Sequence, residues 1–146
     1  MDVIKFLNDV TGGNLLLWKV VAAAMVFASA GLQVALAARL WGKGGPIPLT
    51  PAAAATAHRW NGRVALTLAV VVAFTCLAGP AGPLSPTRVL LHSIFGALVF
   101  AALTAKFALL KLTSKGQKAL PYVGVSLFIL FAAIWATSVA DYVAAR

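Results

Sequence analysis

The stretch VVAAAMVFASAGLQVALAA, from Val20 to Ala38, holds 19 residues without a single charged side chain. Three more uncharged runs follow it, at Val64–Thr87, Val89–Ala105 and Ala119–Ala140. A helix needs about 20 mostly apolar residues to cross the hydrocarbon of a bilayer, because it rises only ~1.5 Å per residue. We therefore predict four membrane-spanning helices, at roughly residues 14–40, 53–78, 87–110 and 120–144.

The composition of the whole chain agrees with a membrane protein. Of 146 residues, 62% are hydrophobic and 10% are charged, whereas soluble domains have roughly 45–50% apolar and about 25% charged residues. The net charge of +9 would suit a protein that binds nucleic acid. However, the basic residues lie at the ends of apolar runs rather than on a solvent-exposed face. We therefore exclude nucleic acid as a partner, and the single Cys76 excludes a disulfide framework.

Glycine- and proline-rich segments near residues 42–51, 79–83 and 114–121 separate the apolar runs. Short links join antiparallel neighbours, so the predicted fold is all-α: an integral membrane up-down four-helix bundle in one domain. The short stretch Val3–Val10 is expected along the outer membrane interface. We expect the first span to be retained rather than cleaved as a signal peptide, because Asp2 and Asp9 stand where a positive segment belongs.

Lysines and arginines are shared unequally between the two ends of the predicted bundle. One end, with the loops near residues 41–52 and 111–119, has eight: Arg39, Lys43, Arg59, Arg63, Lys106, Lys111, Lys115 and Lys118. The other end has four: Lys5, Lys19, Arg88 and Arg146. Because basic residues concentrate on the cytoplasmic side, we predict that these two loops face the cytoplasm and that both termini face outside.

The two histidines share a local pattern within the spans. His58 is followed four residues later by Gly62, and His92 is followed in the same way by Gly96. A glycine at this spacing lies on the histidine's face of the helix and leaves room beside the imidazole for a flat macrocycle such as haem. Alternatively, the glycines serve close helix packing and the histidines only bridge neighbouring helices.

Distances along the chain from a hairpin apex at Gly82 predict two levels in the bundle. His58 and Lys106 are each 24 residues from the apex, whereas His92 and Thr75 lie close to it. The 14 residues between the two levels correspond to roughly 21 Å, so one iron cannot bind both histidines. We expect Thr75 on the same helix face as His58, and Lys106 on the same helix face as His92. If these two faces oppose each other, His58 meets Lys106 at one level and Thr75 meets His92 at the other.

Several cations accompany these levels and need partners inside a membrane. The arginines concerned are Arg59, Arg63 and Arg88. A guanidinium matches a carboxylate as a fork, so these side chains are candidates for haem propionates; the alternative is that they extend to lipid phosphate. Lys106 is expected to meet a propionate, a quinone carbonyl or, when deprotonated, an iron, with extension to the headgroups as the alternative.

Three segments resemble a known group of proteins: Ala57–Arg63 (AHRWNGR), Arg88–Ser93 (RVLLHS) with Gly96 and Lys106 after it, and Trp135–Ser138 (WATS). They resemble an uncharacterised family of bacterial four-span membrane proteins, which in turn resembles the membrane cytochromes b of the ferric-reductase and ascorbate-reducible superfamily. The resemblance implies that His58 and His92 are haem-associated, in a bacterial cytoplasmic membrane. That family often has a histidine where this chain has Thr75, so a haem held by His92 would lack a second imidazole from this position.

We therefore expect a small b-type cytochrome-like membrane protein that moves electrons between the quinone pool and a partner redox protein. Its expected cofactors are one or two haems b and a quinone, and its expected partners are the lipid bilayer and other membrane redox subunits or a second copy. An electron-transfer subunit is favoured over a stand-alone enzyme, because all three acids, Asp2, Asp9 and Asp141, lie at or beyond the membrane edge. The alternatives are a haem-free structural or assembly subunit and a small transporter that uses His58 and Lys106 as a polar pathway.

Overall fold

The computed structural model describes residues 2–43, 47–79, 85–111 and 118–144, and within these ranges every regular element is a helix. The five helices are α1 (Val3–Val10), α2 (Leu15–Leu40), α3 (Pro51–Ala78), α4 (Pro86–Lys111) and α5 (Leu120–Ala144). By length and composition, α2 to α5 can each cross a membrane. The predicted all-α fold with four long apolar helices is confirmed. Gly82, Lys115 and Arg146, which entered the predicted levels and topology, lie outside the described residues.

The turn chemistry of the sequence places the ends of α2 and α3. After α2, Gly42 takes a left-handed φ of 67°, and the Lys43 N–H donates to the Ala38 carbonyl at 3.1 Å, which is how glycine commonly ends a helix. Pro51 opens α3, and the Thr50 hydroxyl accepts a hydrogen bond from the Ala53 N–H at 3.3 Å. The α2–α3 link therefore reverses the chain over few residues and makes α2 and α3 antiparallel neighbours.

Helix α2 occupies the middle of the bundle, because it packs against both α3 and α5. It contributes five of the buried side chains: Leu15, Ala22, Val26, Ala30 and Leu36. On the side of α2 that faces α5, Phe27 stacks on Phe128 and on Trp135, with ring centroids 5.5 and 5.6 Å apart. We call these three rings the aromatic seam. Trp135, the first residue of the WATS segment, thus packs between α2 and α5.

The helices pair as two hairpins that meet along one side. Helix α3 packs on α2 and α4 packs on α5, while α2 and α5 join the two hairpins. Among the described residues, α3 and α4 form no comparable interface with each other. We call the space between them the α3–α4 cleft. It is flanked by the two helices that carry the histidines.

The outer surface of the bundle is rich in large apolar side chains. Leu77 is 89% exposed, Phe74 is 55% exposed and Ile129 is 59% exposed. Apolar exposure on this scale is rare on soluble monomers but suits contact with lipid tails. Helix α1, predicted as an interfacial segment, is helical and touches α3; Leu7 is its buried residue.

Candidate functional site

His92 is held by a hydroxyl from the neighbouring hairpin helix. Its Nδ1 lies 3.4 Å from the Thr137 hydroxyl oxygen on α5, which is a long hydrogen bond. That hydroxyl lies 2.9 Å from the carbonyl of Ala133, to which it can donate, and it can then accept from the imidazole. In the tautomer with the hydrogen on Nδ1, Nε2 is unprotonated, which is the form that binds a metal.

The helix surface one turn beyond His92 is open. A Cβ placed on Gly96, one turn further along α4, would meet no atom within 4 Å. Val99, on the next turn, is 2% exposed and therefore lies on the side of α4 that packs into the bundle. Arg88, one turn before His92, is half-buried. We call His92, Gly96 and Thr137 the His92 site.

The space beside His58 is filled by a side chain that the sequence analysis did not single out. Gln33 on α2 donates from Nε2 to the carbonyl oxygen of His58 at 2.9 Å. A Cβ on Gly62 would lie 2.6 Å from that nitrogen. Gly62 therefore serves the close approach of α2 and α3, and the room expected there for a macrocycle is taken by Gln33.

Two buried polar atoms at this level have no hydrogen-bond partner among the described residues: Gln33 Oε1 and His58 Nδ1. Leaving such a group unpaired costs about 1–3 kcal/mol, so the arrangement is short of a partner. Lys106, on the other side of the α3–α4 cleft, is close enough for its charge to act on the His58 imidazole. The pairing of His58 and Lys106 at one level stays a prediction that this electrostatic range supports, and we call Gln33, His58 and Lys106 the His58 site.

The expected placement of Thr75 on the same face of α3 as His58 is wrong. Thr75 is 3% exposed, and its hydroxyl donates to the Val72 carbonyl of its own helix at 2.8 Å. Seventeen residues at about 100° each bring it back about 100° away from His58 around α3, so the two do not share a face. The described hydrogen-bond partners of His92 are the Thr137 hydroxyl and the backbone of Ile134, both on α5; Thr75 is not among them.

Arg59 and Arg63 lie on the outside of α3, away from the His58 site. Both are exposed, and Arg59 donates to the Thr56 hydroxyl of its own helix at 3.2 Å. Arg63 lies 5.0 Å above the centre of the Trp60 ring, where the two side chains line a shallow surface groove with Val64. This placement favours the alternative of contact with lipid phosphate over pairing with a propionate, and it places Trp60 outside the bundle.

Nearly the whole chain matches one protein-family model. Residues 7–145 match the family of unknown function DUF6529. The chain belongs to this family. No curated protein and no solved structure matches it. The DUF6529 match includes every residue of the His58 and His92 sites, and the resemblance to cytochromes b stays a prediction.

In this DUF6529 chain, no three His, Cys, Asp or Glu side chains come together anywhere in the described ranges. A metal ion bound only by protein side chains is therefore not supported there. A haem iron differs, because its porphyrin supplies four nitrogens and the protein adds only one or two axial ligands. One suitably held histidine is enough, and the His92 site provides one.

Proposed function

We propose that the chain is a small b-type cytochrome-like protein of the bacterial cytoplasmic membrane. It uses His92 to hold one haem b and moves electrons between the quinone pool and a partner redox protein. The observation that carries the proposal is the hydrogen bond from His92 Nδ1 to the Thr137 hydroxyl. An axial histidine needs this kind of acceptor, which fixes the ring and its tautomer and leaves Nε2 for the iron.

The remaining residues of the site suit the same group. Gly96 leaves room next to His92, and the α3–α4 cleft separates the two helices that would flank the macrocycle. A bound haem would supply a one-electron relay between ferric and ferrous iron. The protein's part is to orient the imidazole through Thr137 and to keep water away through apolar neighbours such as Val99.

The orientation in the membrane belongs to the same proposal. Arg39 and Lys111 lie in the last turns of α2 and α4, and Lys43 follows α2 directly. We place this end of the bundle in the cytoplasm and both termini outside, by the preference of basic residues for the cytoplasmic side. The His58 site then lies nearer the cytoplasm, and the His92 site lies nearer the outer surface.

Visible spectroscopy of the purified full chain tests the haem. We expect a Soret band and sharp reduced α and β bands, with haem content measured as the pyridine haemochrome. Thr137→Val should weaken haem affinity about 10–100-fold, the usual effect of losing such a partner, whereas Thr137→Ser should retain it. Ser138→Ala is the matched control, because the Ser138 hydroxyl bonds only within its own helix among the described contacts.

Two results would overturn this proposal. One is a chain that carries no haem when it is produced in haem-replete cells. The other is a His92→Leu variant that retains the full haem content and spectrum of the parent chain.

One observation favours a second candidate, a haem-free structural or assembly subunit. The contact between His92 and Thr137 joins α4 to α5, as expected of a histidine that only bridges helices. In that case His92→Leu would change the free energy of unfolding by about 1 kcal/mol and no chromophore would be present in any variant.

A further inference from the structure

We propose that the His58 site binds the head group of a quinol, which enters from the bilayer through the α3–α4 cleft and donates a hydrogen bond to Gln33. This rests on the proposed function only in taking the quinone pool as the electron source. It adds the location of the quinol, the residue that recognises it and a preference for the reduced form.

Gln33 decides the chemistry of the ligand. Its Nε2 donates to the His58 carbonyl, and a flipped amide would set two oxygen atoms against each other, so the orientation is fixed. Its Oε1 is then buried without a partner, and an amide oxygen can only accept. The missing partner must therefore be a donor. A haem propionate or an oxidised quinone offers only acceptor oxygens at this position, whereas a quinol offers a hydroxyl.

The other two residues of the His58 site complete the match. His58 Nδ1 is the second buried atom without a partner, and Lys106, which has three donor hydrogens, is within electrostatic range of the His58 imidazole. A quinol hydroxyl can donate to Gln33 Oε1 while its oxygen accepts from His58 Nδ1–H or from the Lys106 ammonium. A single functional group thus pairs atoms from α2, α3 and α4.

The depth of the site suits a ligand with a lipid tail. Gln33 lies seven residues before the end of α2 at Leu40, and His58 lies seven residues after the start of α3 at Pro51. At ~1.5 Å per residue this is roughly 10 Å below the helix ends. Within the described residues α3 and α4 do not pack closely, so the shortest path from the lipid runs between them. Both unpaired atoms are enclosed in this structure, so the quinol must part these two helices to reach them. A buried water molecule would also pair these atoms but would require no such opening.

Quinol binding can be measured on the full chain in nanodiscs, with radiolabelled decylbenzoquinol under anaerobic conditions and empty discs to subtract partition into lipid. We expect saturable binding that is at least about tenfold weaker in Gln33→Leu. Asn61→Leu is the matched control, because the Asn61 amide also donates across the α2–α3 interface, to the Ser29 carbonyl at 2.8 Å. Its binding should equal that of the parent chain.

A second measurement needs no variant. Decylbenzoquinone should bind the parent chain at least about tenfold more weakly than the quinol, because it cannot donate to Gln33. Equal binding of the two forms overturns the proposal. Unchanged quinol binding by Gln33→Leu also overturns it, because Gln33 Oε1 would then be paired by a buried water rather than by the quinol. An equal loss of binding in Asn61→Leu overturns it as well, because the effect would then come from helix packing.

Haem content, measured in the same samples, separates this proposal from the proposed function. Saturable quinol binding by a chain without haem would support the quinol site and defeat the cytochrome. A haem-containing chain without saturable quinol binding would do the reverse. Loss of haem from Gln33→Leu would show that the His58 site holds haem, which also overturns the quinol assignment.

Discussion

The two glycines of the shared histidine pattern should respond in opposite ways to the same change. A methyl group at Gly62 would lie 2.6 Å from Gln33 Nε2, so the amide must move away from the His58 carbonyl. Loss of that buried pairing costs about 2 kcal/mol, while the change from glycine to alanine within a helix returns about 1 kcal/mol. Gly62→Ala should therefore destabilise the fold by about 1 kcal/mol. Gly96→Ala meets no atom and should stabilise the haem-free fold by about 1 kcal/mol.

The two variants should differ by about 2 kcal/mol in free energy of unfolding, measured by circular dichroism during SDS titration of the haem-free chain in mixed micelles. Repeating Gly62→Ala in a Gln33→Ala background isolates the clash, because the substitution should then be neutral or stabilising. An equal cost in both backgrounds would refute the assignment of the contact to Gln33. In haem-loaded protein, Gly96→Ala should lower haem content even though it stabilises the haem-free fold, because the methyl group occupies the space beside His92.

Two further outcomes follow from the placement of other residues. Thr75→His should lower the free energy of unfolding by about 2 kcal/mol or more, because it buries an imidazole without a partner at a position that is 3% exposed. A low-spin bis-histidine haem spectrum in this variant would contradict the reasoning, because the new imidazole would then have the iron as its partner. The orientation can be tested in a Cys76→Ser background with a membrane-impermeant maleimide added to intact spheroplasts. Asn14→Cys should react with the reagent and Lys43→Cys should not. The reverse labelling pattern would show that the proposed orientation is inverted.

The helices could be predicted because each depends on a local property of the sequence. Four long uncharged runs have no stable place outside a membrane or a large core, and the Thr50–Pro51 pair and Gly42 mark helix ends by their own backbone chemistry. The shared level predicted for His58 and Lys106 depends on a similarly local count. Two neighbouring spans joined by a short turn must place residues at equal chain distance from that turn at equal depth.

The composition of the two sites could not be predicted, because it depends on which helices pack together. His58 and His92 have the same glycine spacing, yet one glycine meets Gln33 and the other meets open space. Gln33 is one of two polar residues within the first apolar run, with Ser29, and nothing in its sequence neighbourhood relates it to His58. Thr137 lies in the WATS segment, but only the packing of α4 on α5 brings it to His92.

The aromatic seam gives the molecule one axis about which it can change shape. The main contact between the two hairpins runs along α2 and α5, where flat rings of Phe27, Phe128 and Trp135 stack rather than interlock. A small rotation of one hairpin about this seam preserves the packing within each hairpin and changes the width of the cleft on the opposite side. Because one hairpin carries His58 and the other carries Lys106, the same rotation sets the distance between imidazole and ammonium. For the proposed quinol, such a rotation of the hairpins as rigid bodies would widen the cleft to admit the ring and then return Lys106 towards it.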